Sequence, residues 1–164
     1  MSATQDGHGV RGFAHVGIIV PELDTAATLF RDRLGAEVRG PEDEPELGLK
    51  ILWVRVGGVL LEFVAPARDD SRAAAAVARG DTGVHHVAIE VQGLDSLLDE
   101  LSAAGVPIRD STPRPGSHGS RISFLDPAAA GGGGIEKRDA AAVRSRARGG
   151  VADRDAGRAQ VLEQ

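Results

Sequence analysis

Cysteine is absent from this 164-residue chain, which excludes a disulfide framework and any thiolate metal site. Long apolar runs are missing as well. None reaches the roughly 18–20 residues that a membrane span requires. The opening stretch, MSATQDGHGVRG, is polar and glycine-rich and does not read as a secretory leader. A soluble, cytoplasmic protein is the resulting expectation. Positive charge is scarce over most of the length: residues 1–136 hold twelve Lys/Arg against twenty Asp/Glu, whereas residues 137–164 hold seven against four. The net charge of −5 therefore divides into an acidic body and a basic end. An acidic body argues against a nucleic-acid partner, and the arginine- and alanine-rich end reads as a solvated extension.

What is present is a repeat. FAHVGIIVPELDTAATLFRDRLG, from Phe13, lies over VHHVAIEVQGLDSLLDELSAAG, from Val84, with His15 over His86, Val20 over Val91, Leu23 over Leu94 and Asp24 over Asp95. Each copy opens with a Val/Ile-rich run that favours a strand. It then meets an Asp suited to capping a helix. Leu23, Ala26, Ala27, Phe30 and Leu34 form a helical stripe in the first copy, and Leu94, Leu97, Leu98 and Leu101 form one in the second.

Three strand-like pieces follow each helix. In the first copy they are 36–39, 50–56 and 59–65, the last two joined by Gly57-Gly58, a good hairpin turn. In the second they are 106–109, 120–125 and a final piece near 133–138. SRAAAAVAR (71–79) reads as a linking helix. At this length one core is expected. The organisation is a flexible start over 1–11, a single domain over 12–138 with modules of about 12–67 and 83–138, and a basic tail over 139–164. Two copies suggest a duplicated module, not a solenoid.

Pseudo-twofold packing would bring equivalent positions to one axis. His15 and His86 match across the repeat, and Glu62 and Glu136 stand on the last strand of each copy. Two imidazoles and two carboxylates in one concavity suit a divalent first-row metal with room left for substrate. Taken singly, a histidine on an apolar strand is more often a hydrogen-bonded core residue. Glu62, within LLEFV, either meets solvent or is held by a partner. His85 should face away from His86 if its strand is regular.

The segments HVGIIVPELD, PELGLKILWVRVGGVLLEFVAP, GVHHVAIEV and PRPGSHGSRISFLDP, with the Gly-rich stretch ending in Glu136, resemble the vicinal oxygen chelate superfamily and, within it, the methylmalonyl-CoA epimerase family. The likeness spans about residues 13–136. It implies an α+β fold in which two pseudo-symmetric βαβββ modules form a cupped, eight-stranded mixed sheet. It also implies a metal-dependent isomerase that epimerises a 2-acyl, methylmalonyl-type CoA thioester, by proton abstraction and return through a metal-stabilised enolate. His15, Glu62, His86 and Glu136 match the family's metal ligands, for Co, Ni, Zn, Mn or Mg. Glu46 matches a glutamate implicated in proton transfer, with Glu136 as its counterpart across the α carbon. Ser117, His118 and Gly119 match a loop that closes over substrate. The implied partner is a small acyl-CoA thioester, with no membrane, and a homodimer is suggested.

One departure stands out: Gly131–Gly134 is a poor strand former, and Lys137-Arg138 replace the apolar residues expected after the ligand. Three rivals remain. These are a glyoxalase I, a dioxygenase or thiol transferase using two histidines and one glutamate, and a metal-free binding or biosynthetic accessory protein.

Overall fold

In a computed structural model, residues 9–126 and 140–145 are described. Eight strands form one mixed sheet in the order β2-β3-β4-β1-β5-β8-β7-β6. The first module supplies β1 (Gly9–Ile19), α1 (Asp24–Ala27), β2 (Glu37–Glu44), β3 (Leu49–Val56) and β4 (Val59–Pro66). The second supplies β5 (Gly83–Gln92), α3 (Leu94–Ala103), β6 (Arg114–Pro115), β7 (Arg121–Phe124) and β8 (Ala140–Ser145), and α2 (Arg72–Ala78) links the two. The order mirrors itself about the β1–β5 seam. On each side the module's first strand pairs in parallel with its last, and β1 runs antiparallel to β5.

Alternation along the strands sorts the side chains onto two faces. Leu52 and Val54 of β3, with Phe63 and Ala65 of β4, pack under Leu23 and Ala26 of the first helix. On the second side Leu94 and Leu98 of α3 pack against Val91. Glu62 lies between Leu61 and Phe63 and so faces away from that helix, onto the opposite face with Ile51 and Val64. The alternation that left its direction open in the sequence is settled by where the helix sits.

Several expectations need correction. The first helix passes from α1 into a π-helical stretch, Thr28–Arg33, with Leu34 N–H donating to Leu29 O. The wider turn rotates Leu34 off the apolar stripe, leaving it 62% exposed. Neither expected Asp caps its helix. The Glu22 carboxylate accepts from Asp24 N–H at 2.7 Å and from Thr25, while Gly93 stands at the start of α3. The linking helix is capped by Ser71, whose Oγ accepts from Ala74 N–H.

The 106–109 piece contributes only a bridge, Ile108 to Leu125, because Pro107 has no N–H for a ladder. The two-residue β6 takes its place beside β7. Pairing of Gly9 and Val10 with β5 draws part of the expected flexible start into β1. The strand expected near 133–138 lies outside the described residues; among the described residues the strand paired with β5 on that side is β8, within the expected tail. Alanines and Val143 suit a ladder better than a tetraglycine run does.

Candidate metal centre

Three side chains far apart in the chain converge on the face opposite the helices. His15 comes from β1, Glu62 from β4 and His86 from β5. His15 Nε2 lies 3.0 Å from His86 Nε2 and 3.1 Å from Glu62 Oε2. One donor atom from each falls within a 4.8 Å cluster. The sheet explains the convergence: Gly17 of β1 is the register partner of both Glu62 and His86, and His15 is the next residue on the same face. Gly17 also makes room for the His86 ring, which occupies the space a side chain there would fill. A glycine inside a strand is the sequence signal for such close approach.

His15 and Glu62 are buried, and Trp53 packs edge-on to His15 with 5.7 Å between ring centroids. Burial, reinforced by the neighbouring His15, pushes the His86 imidazole down to about 4, against an opposing pull from Glu62. The ring is therefore neutral near pH 7, the form a metal ligand requires.

The triad opens into a cavity of about 620 Å³ that Glu46, Arg68, Arg72, Arg109 and Arg114 also line. Glu46 sits on the turn between β2 and β3, so the cavity brings it to the same space as the triad. Ser117 lines the cavity too and is buried; its Oγ donates to Glu62 Oε1 at 3.4 Å. His118 and Gly119 are not among the lining residues. His118 is turned to β2, its backbone N–H donating to Glu44 and its Nε2 lying 3.2 Å from Glu42. Of the expected closing loop, the structure therefore brings one residue to the cavity, and that residue touches a triad member.

Two placements differ from the strand-by-strand expectation. His85 lines the cavity alongside His86 instead of facing away. The fourth expected ligand, Glu136, lies outside the described residues. Register shows what the sheet offers at the matching point: Glu62 stands opposite Gly17, and Ala142 stands opposite Ala88, two residues beyond His86. Among the described residues the donor set is thus two imidazoles and one carboxylate.

The family model for the Glyoxalase/Bleomycin resistance protein/Dioxygenase superfamily matches residues 14–124. An ethylmalonyl-CoA/methylmalonyl-CoA epimerase of Cereibacter sphaeroides is 35% identical over 115 residues, 69% of this chain and 86% of that protein. The crystal structure of methylmalonyl-CoA epimerase from Mycobacterium tuberculosis superposes with a TM-score of 0.69 at 29% identity, covering 84% of this chain and 89% of that one. A methylmalonyl-CoA epimerase in complex with methylmalonyl-CoA and NH4+ gives a TM-score of 0.68 at 27% identity, covering 85% and 97%. These neighbours share the βαβββ-type glyoxalase fold.

Proposed function

The chain belongs to the Glyoxalase/Bleomycin resistance protein/Dioxygenase superfamily, and from that premise we propose that it is a metal-dependent epimerase of methylmalonyl- or ethylmalonyl-type CoA thioesters. The observation that carries the reading is the meeting of His15, Glu62 and His86 in a cavity that Glu46 also lines. Similarity to epimerases of that chemistry supports it.

The residues present fit a divalent cation by their donor chemistry. Two imidazole nitrogens and one carboxylate oxygen, clustered and shielded by Trp53, suit first-row metals. His15, Glu62 and His86 would hold it. When bound, a divalent cation supplies Lewis-acid stabilisation of negative charge developing on the substrate's carbonyl oxygens.

The chain's own groups do the rest. Glu46 takes the α proton at its carboxylate, and Glu136 is assigned as the acid that returns a proton to the opposite face. The arginines on the cavity walls offer forked donors to the phosphates of a CoA ester. Ser117 holds Glu62 in place.

The test is incubation of cobalt-loaded protein with methylmalonyl-CoA, and separately ethylmalonyl-CoA, in deuterated water. Deuterium enters at the α carbon of at least one. Retention of protium in both, with metal bound, overturns the reading.

A second reading has one observation in its favour: with Ala142 at the register position that mirrors Glu62, the described donor set is that of a two-histidine, one-carboxylate dioxygenase. Oxygen uptake by the iron(II)-loaded protein with a catechol would favour it; the epimerase reading expects none.

A further inference from the structure

The adjacent histidines of β5 share one cavity because the strand is bulged between them. Pairing with β1 runs Gly17 to His86 and then Ile18 to Val84, which leaves His85 as the additional residue. In a flat strand its ring would cross to the other face. Here it lines the cavity beside His86, with the two Nδ1 atoms 3.1 Å apart and the rings nearly perpendicular, centroids 5.3 Å apart. Phe124 backs both rings edge-on, at 6.0 Å from His85 and 5.4 Å from His86. His85 is nevertheless not a member of the donor cluster, which comprises His15, Glu62 and His86.

We propose that His85 is a positioning residue: its Nδ1 accepts a hydrogen bond from His86 Nδ1–H, which fixes His86 in the tautomer whose Nε2 is bare and aimed between His15 and Glu62. The inference rests on reading that cluster as a metal centre.

Proton inventory decides the tautomer. A neutral imidazole carries one N–H and one lone pair. His86 Nε2 is the nitrogen that meets His15, so it is the ligating atom and must be unprotonated. The proton then resides on Nδ1, and the nearby acceptor is His85 Nδ1, with the proton of His85 on its own Nε2. Metal-bound histidines generally rely on such a partner at the far ring nitrogen to set tautomer and ring angle. A carboxylate or carbonyl usually fills that role. A bulge that re-aims the preceding residue achieves it with a neighbour in sequence.

The test is a cobalt(II) titration of the full-length metal-free protein, followed by d–d absorption, for wild type, H85A and H85N. Asparagine places an acceptor oxygen about where the imidazole Nδ1 stands. We expect H85A to weaken cobalt binding by about 10- to 100-fold, the usual loss when such a partner is removed, and to shift the absorption bands. H85N should bind within about threefold of wild type on the same principle. Thermal midpoints of the metal-free proteins should agree across the three.

Wild-type affinity and spectrum in H85A would overturn the inference while leaving the metal centre intact, and so would equal losses in H85A and H85N. Absence of cobalt bands in wild type itself would overturn the metal-centre reading and this inference with it.

Discussion

Gly17 and His86 face one another across the β1–β5 seam, and the imidazole lies in the space a Gly17 side chain would take. A Cβ there would stand within 2.7 Å of ring atoms Cε1, Nδ1 and Nε2. Ring and methyl cannot coexist, so the ring must turn. Gly17→Ala should therefore weaken cobalt binding by at least about 10- to 100-fold, the range seen when a ligand's support is disturbed. Gly12, on the same strand with nothing within 4 Å of an added Cβ, provides the control. G12A should bind cobalt as wild type does. Equal affinities for G17A and wild type would show that His86 is not held by that contact.

The proposed epimerase chemistry gives Glu46 and the triad separate tasks, proton transfer and metal binding. Glu46 lines the cavity from the β2–β3 turn and is not in the donor cluster. Glu46→Gln should leave cobalt affinity unchanged and cut deuterium entry at the α carbon by about 10²- to 10⁴-fold, the usual weight of one general acid–base group. His15→Asn and Glu62→Gln should lose both. Comparing cobalt titration with proton NMR in deuterated water separates the two classes.

The repeat made most of this architecture legible. Matching Phe13 onward with Val84 onward placed His15 and His86 at equivalent points, and the mirrored strand order follows from that equivalence. Glu62 was visible as a carboxylate in an apolar strand, but its direction depended on Leu23 and Ala26 packing over Phe63, a tertiary fact. Three features carried no residue-type signal. The bulge at His85 exists only as a slip between partners on β1. The π turn is a matter of which carbonyl Leu34 N–H reaches. The place of β8 depends on which residues complete the ladder beside β5, and among the described residues these are 140–144.

Metal-free protein should lose stability as pH falls. The His86 imidazole titrates near 4 when folded against an ordinary value of 6.5. Between those values the unfolded chain binds a proton that the folded chain refuses, so unfolding becomes easier as pH drops through that window. Stability is retained above about pH 6.5, and the His86 contribution is fully lost below about pH 4. Urea midpoints of metal-free protein at pH 7.5, 6 and 4.5 measure this. His86→Asn should flatten the profile over that range. An unchanged slope in H86N would assign the acid sensitivity to other groups.

Ser117 tests whether the carboxylate must be held as well as present. Glu62 uses Oε2 toward His15 and Oε1 toward Ser117 Oγ, so its two oxygens are committed in different directions. That arrangement offers one oxygen to a cation and ties the other back to the protein. Ser117 is itself fixed, its carbonyl accepting from Ser120 Oγ at 2.7 Å within the turn that begins at Gly116. The bond to Glu62 is long, at 3.4 Å, so its loss should fall below the usual range for a hydrogen bond to a charged group, at about 1 kcal/mol. Ser117→Ala should therefore weaken cobalt binding by about fivefold, with kcat falling in deuterium-exchange assays only as far as metal occupancy falls. At saturating cobalt the variant should recover wild-type exchange. A persistent defect at full occupancy would instead place the Ser117 hydroxyl on the substrate, the role its position in RPGSHG suggested, and would show that its bond to Glu62 is incidental.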